Sequence, residues 1–107
     1  MNQGDVYWFT FRPPDKRRPV LVLTRSSALD YLSSVTVASI TSTIRGIPTE
    51  VILSPKDGLP RDCAVNYDSI HTVSKALVGP FITHLPLEKM RAVRVAVEFA
   101  LGFDALK

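Results

Sequence analysis

Two polar residues stand at the ends of apolar runs. Arg18 comes directly before Pro19-Val20-Leu21-Val22-Leu23-Thr24, and Thr41 closes the run from Ser34 to Ile40. If both runs are strands, their ends present a guanidinium and a hydroxyl. A guanidinium is planar, permanently charged and matched to two phosphate oxygens, and a hydroxyl can donate to a third or to a leaving oxygen. The pair therefore suits a phosphodiester. Neither residue is a general base, since arginine does not deprotonate in proteins and Thr41 has no activating partner in the sequence. That favours a substrate carrying its own nucleophile: the 2′-hydroxyl of RNA can attack the adjacent phosphorus once it is aligned and the developing charge is stabilised. DNA lacks that hydroxyl and is not expected to be cut. Arg17 could take the same place if the preceding loop shifts by one residue, although the strand register favours Arg18.

The two residues belong to a longer ordered pattern. Gly4-Asp5-Val6-Tyr7, Arg18-Pro19-Val20-Leu21-Val22-Leu23, Ile40-Thr41-Ser42, Pro48-Thr49-Glu50-Val51 and Asp68-Ser69-Ile70-His71-Thr72-Val73 precede a tail carrying Leu85, Glu88, Met90, Val93, Ala96, Ala100, Leu101 and Gly102. In this order and spacing the chain resembles the MazF/PemK family of toxin endoribonucleases over nearly its whole length. The resemblance implies an SH3-like, CcdB-like antiparallel barrel that dimerises, with Arg18 and Thr41 as its catalytic residues. It also implies metal-independent cleavage of single-stranded RNA at a short sequence, leaving a 2′,3′-cyclic phosphate and a 5′-hydroxyl. The partner it implies is a MazE-like antitoxin whose disordered acidic tail competes with RNA for a basic groove. No cofactor is expected.

Further substrate contacts are expected from Lys16 and Arg17 as phosphate tethers, from Ser42 beside Thr41, and from Asp68, which could accept from a base edge or cap a turn. His71 marks a departure from the family. The usual run is an acidic residue, Gln, an aliphatic, Arg or Lys, then Thr or Ser; here Ser69 replaces the amide and His71 replaces the cation. An imidazole there could contact a phosphate, stack on a base or take part in proton transfer. The first loop also departs, being short and basic where the family often carries a Ser-Glu-Gln-Gly-Gly type insertion. His84 reads as structural, and two histidines with one cysteine form no metal-ligand pattern.

A chain of 107 residues fits one domain, residues 1–107, and can bury roughly two thirds of the surface its unfolded form exposes. Hydrophobic content of 46% is high for so small a chain, so a homodimer that covers some of it is expected. Cys63 is the only cysteine, which forbids an intrachain disulfide and suits the cytoplasm. No stretch approaches the ~20 apolar residues of a membrane span. Net charge is +3, but the segment from Arg12 to Arg25 holds five cations against Asp15, a net +4 that leaves −1 for the remainder. A polyanion would meet that segment as a local patch.

The elements that must position these residues are mostly strands. Val6 to Phe11 is aromatic-rich, Pro13 and Pro14 break it, and Pro19 to Thr24 is nearly continuous apolar. A short helical turn is expected at Ala28 to Leu32. Val35 to Thr41 is rich in β-branched residues, and Thr49 to Leu53, Cys63 to Asn66 and Ser69 to Val73 read as short strands, with another extended piece between Ala76 and Thr83. The period then changes: Leu87, Met90, Val93, Val97, Ala100 and Leu101 recur every three or four residues on one helical face, with Pro86 in the first turn and Gly102 as a left-handed stop. The fold class is mainly β (α+β), a small bent antiparallel barrel with one terminal amphipathic helix. Two other functions fit such a barrel: a toxin of the CcdB kind that binds DNA gyrase and cuts nothing, and a non-catalytic SH3-like RNA-binding module.

Overall fold

A computed structural model describes residues 1–13 and 16–106. Pro14 and Asp15, from the basic loop, and Lys107 lie outside the described residues. The chain runs β1 (Asp5–Thr10), β2 (Arg17–Val22), β3 (Ser34–Thr41), β4 (Glu50–Leu53), β5 (Cys63–Ser74), β6 (Phe81–His84) and α1 (Leu87–Ala100). The six strands form one curled antiparallel sheet in the order β4-β5-β3-β2-β1-β6. Among the described residues this is the expected barrel-like sheet with a single α-helix.

Because successive strand side chains alternate between faces, the register sorts the residues into two sets. Val6 opposes Leu21 and Leu21 opposes Ala38, so these share one face, together with Ile40, Val51, Leu53 and Val65. Helix α1 covers this face through Val93 and Ala96, both buried, helped by Met90, Val97 and Ala100. Val20, Val22, Val35, Val37 and Phe9 point the other way into a second apolar cluster, closed by Leu29. Pro19 to Thr24 reads as continuous apolar because β2 is covered on both faces.

Three local readings change. Cys63 to Val73 is one strand, not two: between Ala38 and Ser39 the partner on β5 jumps from Ile70 to Asn66, so Tyr67-Asp68-Ser69 form a bulge inside a continuous β5. The break expected between Asn66 and Ser69 is instead this irregularity. The helical turn after β2 is a 3₁₀ turn at Ser26–Ala28, two residues earlier than expected. On α1, Leu87 and Leu101 follow the apolar spacing but are 67% and 54% exposed, because the sheet underneath covers only the middle of the helix. Pro86 stands just before the first helical residue, and Gly102 ends the helix at φ 79°.

The start of the chain is fastened by one carboxylate. Asp5, only 6% exposed, accepts from the Asn2 N–H at 2.8 Å and from the Tyr7 hydroxyl at 3.0 Å, and its other oxygen meets His84 Nδ1 at 2.8 Å. Burial pushes the Asp5 carboxyl upward, but the Asn2 amide, His84 and Tyr7 outweigh it and leave its pKa lowered. The same burial and the adjacent carboxylate push the Tyr7 phenol up to about 12. His84 is thus the structural histidine expected, joining β6 to β1.

A carboxyl with a depressed folded-state pKa stabilises fully above its unfolded value, 3.8, and loses that contribution as pH falls through the lower folded-state value. Asp5→Asn should cost roughly 2 kcal/mol at neutral pH, the scale of hydrogen bonds to a charged group. Its urea stability should also fall less steeply than that of the native chain below about pH 4. Equal stability of the two proteins at neutral pH would refute this role for Asp5.

Candidate functional site

The polar residues collect where the second apolar face runs out. The β2–β3 ladder pairs Val22 with Val37, Leu21 with Ala38 and Val20 with Ser39, and there it stops. Carried two residues further, the same register sets Arg18 opposite Thr41 on the face that holds Val20 and Ser39. The strands part at this point and leave room between them. Arg18 and Thr41 both line a groove of about 620 Å³ and an adjoining hollow of about 290 Å³. Arg18 also walls a third, of about 220 Å³, so it is common to all three.

Thr41 has a defined orientation. Its Oγ1 accepts the Thr43 N–H at 3.2 Å, so the hydroxyl proton points elsewhere and is available to a ligand. The neighbouring loop is held by Glu50, whose Oε1 accepts from the backbone N–H groups of Arg45 and Gly46 at 3.0 and 2.9 Å. Thr43, Arg45, Glu50 and Asn66 thereby share the second hollow with Arg18 and Thr41.

Arg17 and Arg18 are separated by strand alternation. Arg17 lies on the other face, with its guanidinium carbon 4.4 Å from the centre of the Trp8 ring, a cation–π contact at the groove wall. Lys16 and Ser42 line the same large groove, with Arg61 at its rim. The structure therefore brings Lys16, Arg17, Arg18, Thr41 and Ser42 to one cleft that contains four of the chain's cations. His71 is in the third hollow with Phe11, Ser39 and Ser69. Asp68 is exposed on the β5 bulge and lines none of the three; its N–H donates to Asn66 Oδ1 at 2.9 Å.

Several groove residues were not singled out from the sequence. Trp8, Ser39, Arg45, Asn66 and Arg61 stand in unremarkable local contexts; cross-strand register carries Trp8, Ser39 and Asn66 to the cleft, and Arg45 and Arg61 reach it from loops. Glu50 had a signal, since it belongs to the ordered piece Pro48-Thr49-Glu50-Val51 that resembles the family.

Comparison with known proteins identifies the family and the fold. The profile of the PemK-like, MazF-like toxins of type II toxin–antitoxin systems matches residues 2–101. The probable endoribonuclease MazF5 of Mycobacterium tuberculosis is 41% identical over 100 residues, which span 92% of this chain and 91% of that protein. The solved structure of Mycobacterium tuberculosis toxin MazF-mt6 superposes with a TM-score of 0.85 at 34% identity, covering 92% of this chain and 96% of the other. A mycobacterial endoribonuclease solved in complex with its cognate antitoxin gives the same TM-score at 27% identity, with 95% of each chain covered.

One nucleophile in the groove wall is disarmed. Cys63 lines the large groove yet is only 4% exposed, and burial, with lesser effects of Asp62 and Asp57, pushes its thiol up to about 11. A thiol so placed is almost entirely protonated near pH 8. Alkylation of the folded protein by iodoacetamide at pH 8 should run at least tenfold slower than for the urea-unfolded chain. Equal rates would show that Cys63 is open and reactive.

Proposed function

The chain belongs to the PemK-like, MazF-like toxins of type II toxin–antitoxin systems, and on that footing we propose that it is a sequence-specific endoribonuclease that cuts single-stranded RNA. The observation that carries the reading is the opening at the end of the β2–β3 ladder, where Arg18 and Thr41 line one cleft. In this reading residues 1–107 act as one catalytic domain.

The scissile phosphate sits between these two side chains. Arg18 donates to its non-bridging oxygens and neutralises the charge that grows as phosphorus becomes pentacoordinate, while the Thr41 hydroxyl donates to another oxygen. The substrate's 2′-oxygen attacks phosphorus, its proton is released, and the bond to the 5′-oxygen breaks with that oxygen taking up a proton. The products are a 2′,3′-cyclic phosphate and a 5′-hydroxyl. No side chain has to act as nucleophile, which fits the protonated state of Cys63. Lys16 and Arg17 tether flanking phosphates, Ser42 contacts the chain beside Thr41, and His71 meets the substrate along β5, while Asp68 stays outside the cleft. Neither metal nor cofactor takes part.

A cognate antitoxin is the natural inhibitor. An acidic segment would be drawn to the same cations and would shut out RNA by occupying the cleft. Self-association has support on another surface: Leu87, Val95, Phe99, Leu101, Phe103 and Leu106 are each at least 45% exposed along α1 and the residues after it. A second copy would cover part of this apolar area. The unpaired thiol suits the cytoplasm, and among the described residues no helix is long and apolar enough to cross a membrane.

Purified protein incubated with a long single-stranded RNA in EDTA should give discrete cuts bearing 5′-hydroxyls. Arg18→Ala and Thr41→Ala should each lower turnover by on the order of 10² to 10³, the loss seen when a donor to transition-state charge is removed. A folded native protein that cuts no RNA yet still arrests growth would point instead to a gyrase-binding toxin. Sedimentation at micromolar concentration should show about twice the 11.8 kDa of the chain; a purely monomeric species would refute the dimer.

A further inference from the structure

The third hollow has a composition different from the phosphate cleft beside it. It is lined by Phe11, Arg18, Ser39, Ser69 and His71, and its volume of about 220 Å³ exceeds that of a single nucleobase but not that of a nucleotide with its sugar and phosphate. One wall is aromatic: the rings of Phe11 and His71 lie 5.1 Å apart, tilted by 56°, and Phe11 is braced edge-on by Phe9 at 4.8 Å. The floor is a line of hydroxyls. Ser69 Oγ bonds His71 Nε2 at 3.1 Å and donates to Ser39 Oγ at 3.4 Å. Arg18, which the proposed reaction places on the scissile phosphate, closes the remaining side.

We propose that this hollow is a nucleobase subsite, in which a base next to the scissile phosphate packs against the His71 and Phe11 rings while Ser39 and Ser69 hydrogen-bond to its edge. This rests on the ribonuclease reading for its ligand and adds to it the place where one base is read. The chemistry of the walls sets the class of ligand. Phosphate would seek cations, and among the described residues Arg18, already engaged, is the one permanent cation lining this hollow. A base brings a flat face for the two rings and donors and acceptors for hydroxyls that can serve as either. The Ser69 bond fixes the imidazole ring, so its exposed face is presented in one orientation and the ordering cost on binding is small.

The test separates this subsite from the cleavage reaction. A non-cleavable 2′-deoxy copy of the preferred RNA, or of a mixed-sequence RNA if none is cut, is made with a single abasic position moved along it, and binding is measured by titration. For the native protein one position should stand out, with loss of its base weakening binding about tenfold, within the range of base–aromatic stacking. In His71→Ala, and in Phe11→Leu, which keeps an apolar residue against Phe9, that penalty should fall to within twofold of the other positions. Ser69→Ala should keep most of the penalty but alter which base is preferred there. For a protein that does cut, cleavage maps of His71→Ala should lose base preference at the same position, with the loss in KM rather than kcat. An equal abasic penalty at all positions in the native protein, absence of binding, or a penalty unchanged in both variants would overturn the subsite. RNA left uncut with the positional penalty intact would refute only the nuclease reading.

Discussion

Everything at the site depends on where the β2–β3 ladder ends. Strand side chains alternate strictly between faces, so a residue's partner across the ladder decides both its neighbours and its exposure. From Val22–Val37 to Val20–Ser39 this alternation sends apolar residues into a dry cluster. The next residues on that face are Arg18 and Thr41. Water exclusion ends where the hydrogen bonds do, and the first polar groups beyond that boundary are held by a scaffold that cannot slip. A shift of one residue would turn Arg18 to the other face and bring Arg17 in its place, and would also take Val20 and Val22 out of the second cluster, so burial of these valines holds the register.

The same boundary explains how one small sheet can carry two kinds of surface side by side. On β5 the bulge at Tyr67-Asp68-Ser69 resets the register between Asn66 and Ile70, so Asn66 faces the hollow shared with Glu50, and His71 remains opposite Val37. A regular strand of that length could not place both on the same face as Ser39 and Thr41 with these spacings. The bulge thus extends the polar rim away from Arg18 in two directions, one rich in charge and hydroxyls, the other aromatic. Arg18, Ser39 and Ser69 line both.

Support for this rim comes from groups far from it in sequence. Glu50 holds the loop after β3 through two backbone amides, and Asp5 secures β1 against β6 through His84. Gly58, at φ 94°, closes the turn before β5 where a Cβ would strike the Thr83 side chain. These are fixed local geometries, and each limits how far the strands bearing the site can move. A positioned phosphate needs such rigidity, because in-line attack by a 2′-hydroxyl tolerates little misalignment.

The amino-acid sequence by itself determined the strand-rich class, the terminal helix with its glycine stop, and the identity of Arg18 and Thr41 as the pair worth watching. Those features are local or nearly so: β-branched runs, a change of period, and polar residues at the ends of apolar segments. Family likeness added order to them but not distance. Only the tertiary structure decided that Arg17 stacks on Trp8 while Arg18 faces Thr41's cleft, that Asp68 stays on the outside of a bulge, and that Leu87 and Leu101 overhang the sheet. It alone joined Phe11, Ser39, Ser69 and His71, which come from three different strands or their ends. The physical reason is register: hydrogen-bonded pairing between distant segments is set by burial of the whole sheet, and no short stretch of chain contains that information.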